Sequence, residues 1–232
     1  MQKMHLAAAS AMHGWYKTPA DSVHHVIIRD ARPDEHAAVG QLRVSAYRSL
    51  GLLPEGSGYA ETLRAFGFVG DCTVLVAVDE GDDSTVGTIT LESFGPASEL
   101  AKDETEADVR AFAVAAQARG RGVGRTLLLA AIERAETRGL RRLRLCTQPD
   151  MRAAQHLYEA SGFSRTPELD FAPVPGLVLR AYELELPAGR LSRPQQRKRL
   201  VPLVCVSFIS PRHAGILAHL ERLKTRSQSS GA

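Results

Sequence analysis

The chain has 232 residues, 44% of them hydrophobic and 24% charged, which supports a real core and excludes a disordered chain or a stapled mini-protein. The formal charge of +3 hides an asymmetry, because the first 186 residues carry 20 basic against 25 acidic side chains while residues 187–232 carry nine against one. A mildly acidic body with a basic tail is not a uniformly basic nucleic-acid binder.

Residues 1–22 hold Lys3 ahead of a weak apolar run, Leu6 to Met12, too short for a secretory core, and read as an unstructured extension. A strand is predicted over 23–29. Pro33 at a first helical position, with Asp34 and Glu35 beside it, opens an amphipathic helix to Leu50. A shorter helix fits 59–66. The β-branched runs 73–78 and 85–91, joined by an acidic turn, predict a hairpin. An acidic loop over 94–106 leads to a strand over 108–114, and a glycine cluster at 120–124 precedes a helix with Leu127, Leu128, Ala131, Ile132 and Ala135 on one stripe, closed by Gly139. A strand over 140–147, a helix opened by Pro149 and Asp150 and ended by Gly162, and a strand over 178–184 complete the body. The order β-α-α-β-β-β-α-β-α-β predicts a mixed α/β domain over 23–186. The basic tail, 187–232, contains Ile216, Leu217, Leu220 and Leu223 at helical spacing, and suggests one amphipathic helix able to dock on the body or on a second subunit of a homodimer.

The most informative segment is Arg119-Gly120-Arg121-Gly122-Val123-Gly124-Arg125-Thr126, between a strand and a helix. Glycine permits positive φ and close approach to a ligand, and a helix start presents unpaired N–H groups and a positive dipole end. The pattern describes an anion cradle for phosphate or pyrophosphate. It lacks the Gly-Lys-Ser/Thr of a nucleotide-hydrolysing P-loop, and its Gly-x-Gly-x-Gly spacing disfavours a dinucleotide-binding Rossmann unit. Taken alone, it also fits a glycine-rich corner with surface arginines.

Arg119-Gly120-Arg121-Gly122-Val123-Gly124 resembles the Arg/Gln-x-x-Gly-x-Gly/Ala signature of the GNAT superfamily of acyl-CoA-dependent N-acyltransferases. Ala153 to Phe163, with Leu157-Tyr158 and Gly162-Phe163, is similar to that family's late helix and turn. The resemblance spans about 28–185 and implies a GNAT fold: a mixed, mostly antiparallel sheet, splayed between its fourth and fifth strands and flanked by about four helices. It implies acetyl-CoA as cosubstrate in the cleft, with Phe112, Ala113 and Val114 pairing strand-like with pantetheine, and backbone N–H groups from Arg121 to Thr126 holding the pyrophosphate. Two departures stand out. Ala116 stands where many relatives have proline, and Met151 where many have an asparagine that can contact pantetheine.

The implied reaction is acetyl transfer to a primary amine of a small molecule or peptide by direct attack in a ternary complex. By the same resemblance, Tyr158 protonates the leaving thiolate; packing on its helical face is the competing role. Asp108 is the candidate base, with Glu106 on the same strand face and Glu92 as further candidates, and the Val114 N–H is the candidate oxyanion donor. Glu99, Asp103, Glu104, Glu106 and Asp108 predict an acidic mouth that would favour a cationic acceptor, or a plain acidic surface loop. Cys72, Cys146 and Cys205 lie far apart with no CxxC spacing, and His24, His25 and His36 make no ligand pattern with them, so neither a disulfide framework nor a metal is expected and a cytoplasmic setting is. No apolar run approaches the ~20 residues of a membrane span. The competing function classes are a non-catalytic acyl-CoA sensor, which would bind without turnover, and nucleic-acid binding through the tail, which an acidic body with 6% aromatics disfavours.

Overall fold

The computed structural model describes residues 26–187 except Val69, Ala97 and Pro175. The expectations for the N-terminal extension, for 23–25 and for the basic tail beyond Pro187 lie outside the described residues. The strands are β1 (Val26–Asp30), β2 (Cys72–Asp79), β3 (Thr85–Ser93), β4 (Glu106–Val114), β5 (Arg142–Thr147), β6 (Ser164–Arg165), β7 (Phe171–Val174) and β8 (Leu177–Glu185). The helices are α1 (His36–Ser49), α2 (Tyr59–Ala65), α3 (Val123–Thr137) and α4 (Arg152–Ala160). One sheet runs β1-β2-β3-β4-β5-β8-β6, with β7 paired to β8. Every pairing is antiparallel except β4 with β5. The expected mixed, mostly antiparallel sheet with four flanking helices is the observed architecture.

Two strands were not predicted. β6 has two residues and β7 carries Pro173, so neither offers the alternation that marks a strand, and both exist because β8 supplies an edge. Pro33 opens a single 3-10 turn, Pro33–Glu35, rather than the helix itself. Glu35 fixes that corner: its carboxylate accepts two bonds from Arg29, at 2.7 and 2.5 Å, and one from the Arg32 N–H at 2.7 Å.

Alternation on the central strands divides the sheet into two unlike faces. Leu75, Ile89, Leu91, Leu143 and Leu145 form the face that α3 covers with Leu127, Leu128, Ala131 and Ala135, all buried. Gly87 lets α3 come close, since a Cβ there would stand 2.7 Å from Leu127 Cδ1. The other face, under α1, α2 and the chain before β4, is buried and mixed: Val74, Val76 and Val78 of β2 pack against Val39 of α1, and β3, β4 and β5 present polar side chains. It holds Thr88, Thr90, Glu92, Glu106, Asp108 and Arg144, with Arg43 of α1 inserted above. Arg43 is fully buried with no carboxylate partner among the described residues, donating to Phe66 O, Leu63 O and Thr90 Oγ1, and burial lowers its pKa to about 10.

Candidate functional site

The site begins with a defect in β4. Its pairing with β3 runs in register to Thr90↔Arg110, then resumes at Thr88↔Ala113, so two steps on β3 face three on β4. Ala111 absorbs the extra residue at φ +47, a left-handed conformation that a non-glycine residue rarely adopts. A bulge bends its strand. β4 and β5 pair only through Glu106↔Arg142, Ala107↔Leu143 and Asp108↔Arg144, and beyond that both strands continue unpaired with each other. A cavity of about 530 Å³ opens beside this splay.

The end of β4 contributes Phe112, Ala113 and Val114 to the cavity wall. Past Ala115, whose N–H bonds Val86 O, the chain enters the glycine turn with Gly120 at φ +76 and Gly122 at φ +82. A Cβ at either glycine would meet nothing within 4 Å, so positive φ, not crowding, requires glycine here. Gly122 is the N-cap of α3 and its carbonyl accepts the Thr126 N–H at 3.0 Å. The amides of Val123, Gly124 and Arg125 therefore precede the first intrahelical bond and have no acceptor within the helix. Gly120, Gly122, Val123 and Gly124 all line the cavity, so the positive end of the α3 dipole is at its wall.

A second wall is α4 with its N-cap Met151, contributing Ala154, Leu157 and Tyr158. Tyr158 is buried in an aromatic cluster, its ring centroid 6.0 Å from both Phe163 and Tyr182 and 6.4 Å from Phe112. Burial, then the nearby Cys146 and Tyr182, raises the Tyr158 pKa, so the phenol keeps its proton throughout the neutral range. A third wall was missed in the sequence: Ala46 and Tyr47 at the end of α1, and Leu50 and Leu52 after it. Tyr47 sits in an apolar helical stripe that reads only as core. Its pKa is raised as well, by burial and then by Tyr59, Tyr158 and Cys146.

The arginines of the turn have structural partners. Arg119 lines the cavity, but its guanidinium donates to Val114 O at 3.3 Å, to Ala46 O at 3.1 Å and to Ser49 Oγ at 2.6 Å, capping the negative end of α1. Arg121 pairs with Asp79 at 2.9 Å. Arg121, Arg125 and Thr126 are exposed and do not line the cavity.

Asp108 does not join the cavity. Its Oδ2 accepts the N–H groups of Glu99 and Leu100 at 2.8 and 3.1 Å, its Oδ1 accepts that of Ala101 at 2.8 Å, and the residue is 1% exposed. Burial raises its pKa against the lowering effect of those three donors. Asp108, the candidate base, thus has both carboxylate oxygens committed to anchoring the 99–101 loop. Glu106 is likewise held, by Arg144 at 2.5 Å, Arg142 at 3.2 Å and the Lys102 N–H at 2.7 Å. Glu92 and Glu99 both pair with Arg110, whose guanidinium also lies 4.8 Å from the Phe66 ring centroid. Asp103 accepts from Thr105. The predicted acidic mouth is thus largely neutralised by arginines and backbone donors, which sequence spacing could not reveal. Cys146 of β5 has its thiol 4.0 Å from Glu99, and burial pushes its pKa up to about 12.

A family model described as the acetyltransferase (GNAT) family matches residues 28–163. The chain belongs to the GNAT acetyltransferase family. The GNAT fold is also shared with solved structures. A GCN5-related N-acetyltransferase from Kribbella flavida is 25% identical, covering 69% of this chain and 98% of its own, at a TM-score of 0.55. A ribosomal-protein-alanine N-acetyltransferase from Brucella melitensis is 24% identical, covering 69% and 99%, at 0.55. A paia N-acetyltransferase from Thermoplasma acidophilum, solved in complex with coenzyme A, is 16% identical, covering 70% and 99%, at 0.54. A comparison with curated protein sequences gives no match. Among the described residues of this GNAT chain, no helix is long and apolar enough to cross a membrane, and no group of three or more His, Cys, Asp or Glu is arranged to hold a metal ion.

Proposed function

We propose that residues 23–186 form an N-acetyltransferase that moves an acetyl group from acetyl-CoA to a primary amine in a ternary complex, in the cytoplasm. The observation that carries this reading is convergence on one cavity: the glycine turn, Phe112 to Val114 and Tyr158 all line it, where β4 leaves β5. The residues suit the cosubstrate. The unpaired amides of Val123, Gly124 and Arg125 at a helix start fit a pyrophosphate. The apolar wall of Leu50, Leu52, Ala154 and Leu157 fits a pantetheine arm, and Met151, whose sulfur accepts a bond from Thr147 Oγ1 at 3.4 Å, replaces the polar contact of many relatives by an apolar one.

Acetyl-CoA supplies a thioester carbonyl. The strand end at Phe112–Val114 orients the acyl arm, and the backbone of β4 past the bulge, Val114 N–H included, is where oxyanion donors are proposed. The amine lone pair forms the C–N bond, the C–S bond breaks, the Tyr158 hydroxyl gives its proton to the departing sulfur, and the proton shed by the new C–N nitrogen passes through water to restore the Tyr158 hydroxyl. With Asp108 and Glu106 held structurally, the proton of the incoming ammonium is assigned to solvent water.

The test is a thiol-release assay with acetyl-CoA and a panel of primary amines, on wild type and Tyr158→Phe. Turnover in wild type is expected to fall about 10²-fold or more in the variant, with the acetyl-CoA Kd within about twofold. Full turnover in Tyr158→Phe would reduce Tyr158 to packing. Binding with no thiol release for any amine would leave a non-catalytic acyl-CoA binder.

A further inference from the structure

We propose that Arg152, at the start of α4, is the side-chain cation that meets a phosphate group of the acyl-CoA, and that the arginines of the glycine turn are not. The inference rests on the reading of the cavity as the acyl-CoA site. Two arginines line that cavity, Arg119 and Arg152. Arg119 is engaged by Val114 O, Ala46 O and Ser49 Oγ, and Arg121 nearby is neutralised by Asp79. Arg125 is exposed but outside the lining. Arg152 is exposed, and among the described residues no ion pair or side-chain hydrogen bond engages its guanidinium.

A second observation points the same way. Arg152 is the first residue of α4, and that first turn contains no acidic residue. A cation there opposes the positive end of the helix dipole and weakens the helix slightly. A locally unfavourable charge without a structural partner, on a ligand-sized cavity, is what a binding residue looks like before its ligand arrives.

Calorimetric titration of wild type, Arg152→Ala and Arg152→Lys with CoA, 3′-dephospho-CoA and pantetheine tests this. Arg152→Ala is expected to weaken CoA about three- to tenfold, as an exposed charge-assisted contact would, and Arg152→Lys to recover most of it. If the contact is to the 3′-phosphate, the weakening disappears with 3′-dephospho-CoA. If it is to the pyrophosphate, it persists with 3′-dephospho-CoA and disappears with pantetheine. Either result supports the proposal. A CoA affinity unchanged in Arg152→Ala, or an equal loss for all three ligands, overturns it while leaving the cavity assignment standing. Failure of wild type to bind CoA overturns the cavity reading itself, and this inference with it.

Discussion

Asp108 commits both carboxylate oxygens to the loop preceding its own strand, so its chemistry is that of a staple. Asp108→Asn would set an amide NH₂ against a backbone N–H and is expected to destabilise the protein by about 1–3 kcal/mol, read by thermal or urea unfolding, with turnover per folded molecule little changed. A large loss of turnover at unchanged stability would restore Asp108 as the base. The residue identities at the cradle were legible because glycine at positive φ and a helix start leave a local sequence signature. The partners of Asp108, Glu106 and Arg119 were not, because each is made by chain distant in sequence or by backbone groups that carry no side-chain code. Ala111 was hidden for a related reason: the register forces alanine into a conformation that its identity does not advertise.

At the scale of elements, two contacts fix how the walls of the cavity are held. Gly87 sits beneath α3, the helix whose start is the proposed cradle. Gly87→Ala would drive a Cβ to 2.7 Å from Leu127 Cδ1 and is expected to lower stability by about 1–3 kcal/mol, read as a lower Tm, with a weakened acetyl-CoA affinity as α3 shifts. An unchanged Tm would contradict that packing. The Arg29–Glu35 pair joins β1 to the turn before α1, and the side-chain bond from Arg29, with the Arg32 N–H, lowers the Glu35 pKa to about 2 from an ordinary 4.5. The folded form holds this proton less tightly than the unfolded chain does, so the contribution is present above pH 4.5 and is lost as the pH falls towards 2. Glu35→Gln should be less stable than wild type at pH 7, and the gap should narrow by pH 3 in denaturant titrations; a gap that does not depend on pH would mean the pair contributes nothing electrostatic. The strands and helices of the central body were readable from their periodicity, whereas β6 and β7 owe their existence to β8 and could be seen only with the sheet assembled.

Over the whole molecule, the proposed function rests on one topological feature. β4 parts from β5 after three residue pairs, shortly before the bulge at Ala111, and the opening is walled by α1, α3 and α4, which come from three separate parts of the chain. The two motifs that resemble the GNAT family mark the α3 and α4 walls. The α1 wall had no motif, since its cavity residues look like any apolar helix stripe. The central claim is that this opening is an acyl-CoA site, and calorimetric titration of the full chain with acetyl-CoA, CoA and NAD tests it most directly. Saturable binding of both CoA species and not NAD, abolished in Gly122→Glu, is the predicted result. A folded wild-type protein that binds neither CoA species would contradict it, and the glycine turn would then be a structural corner.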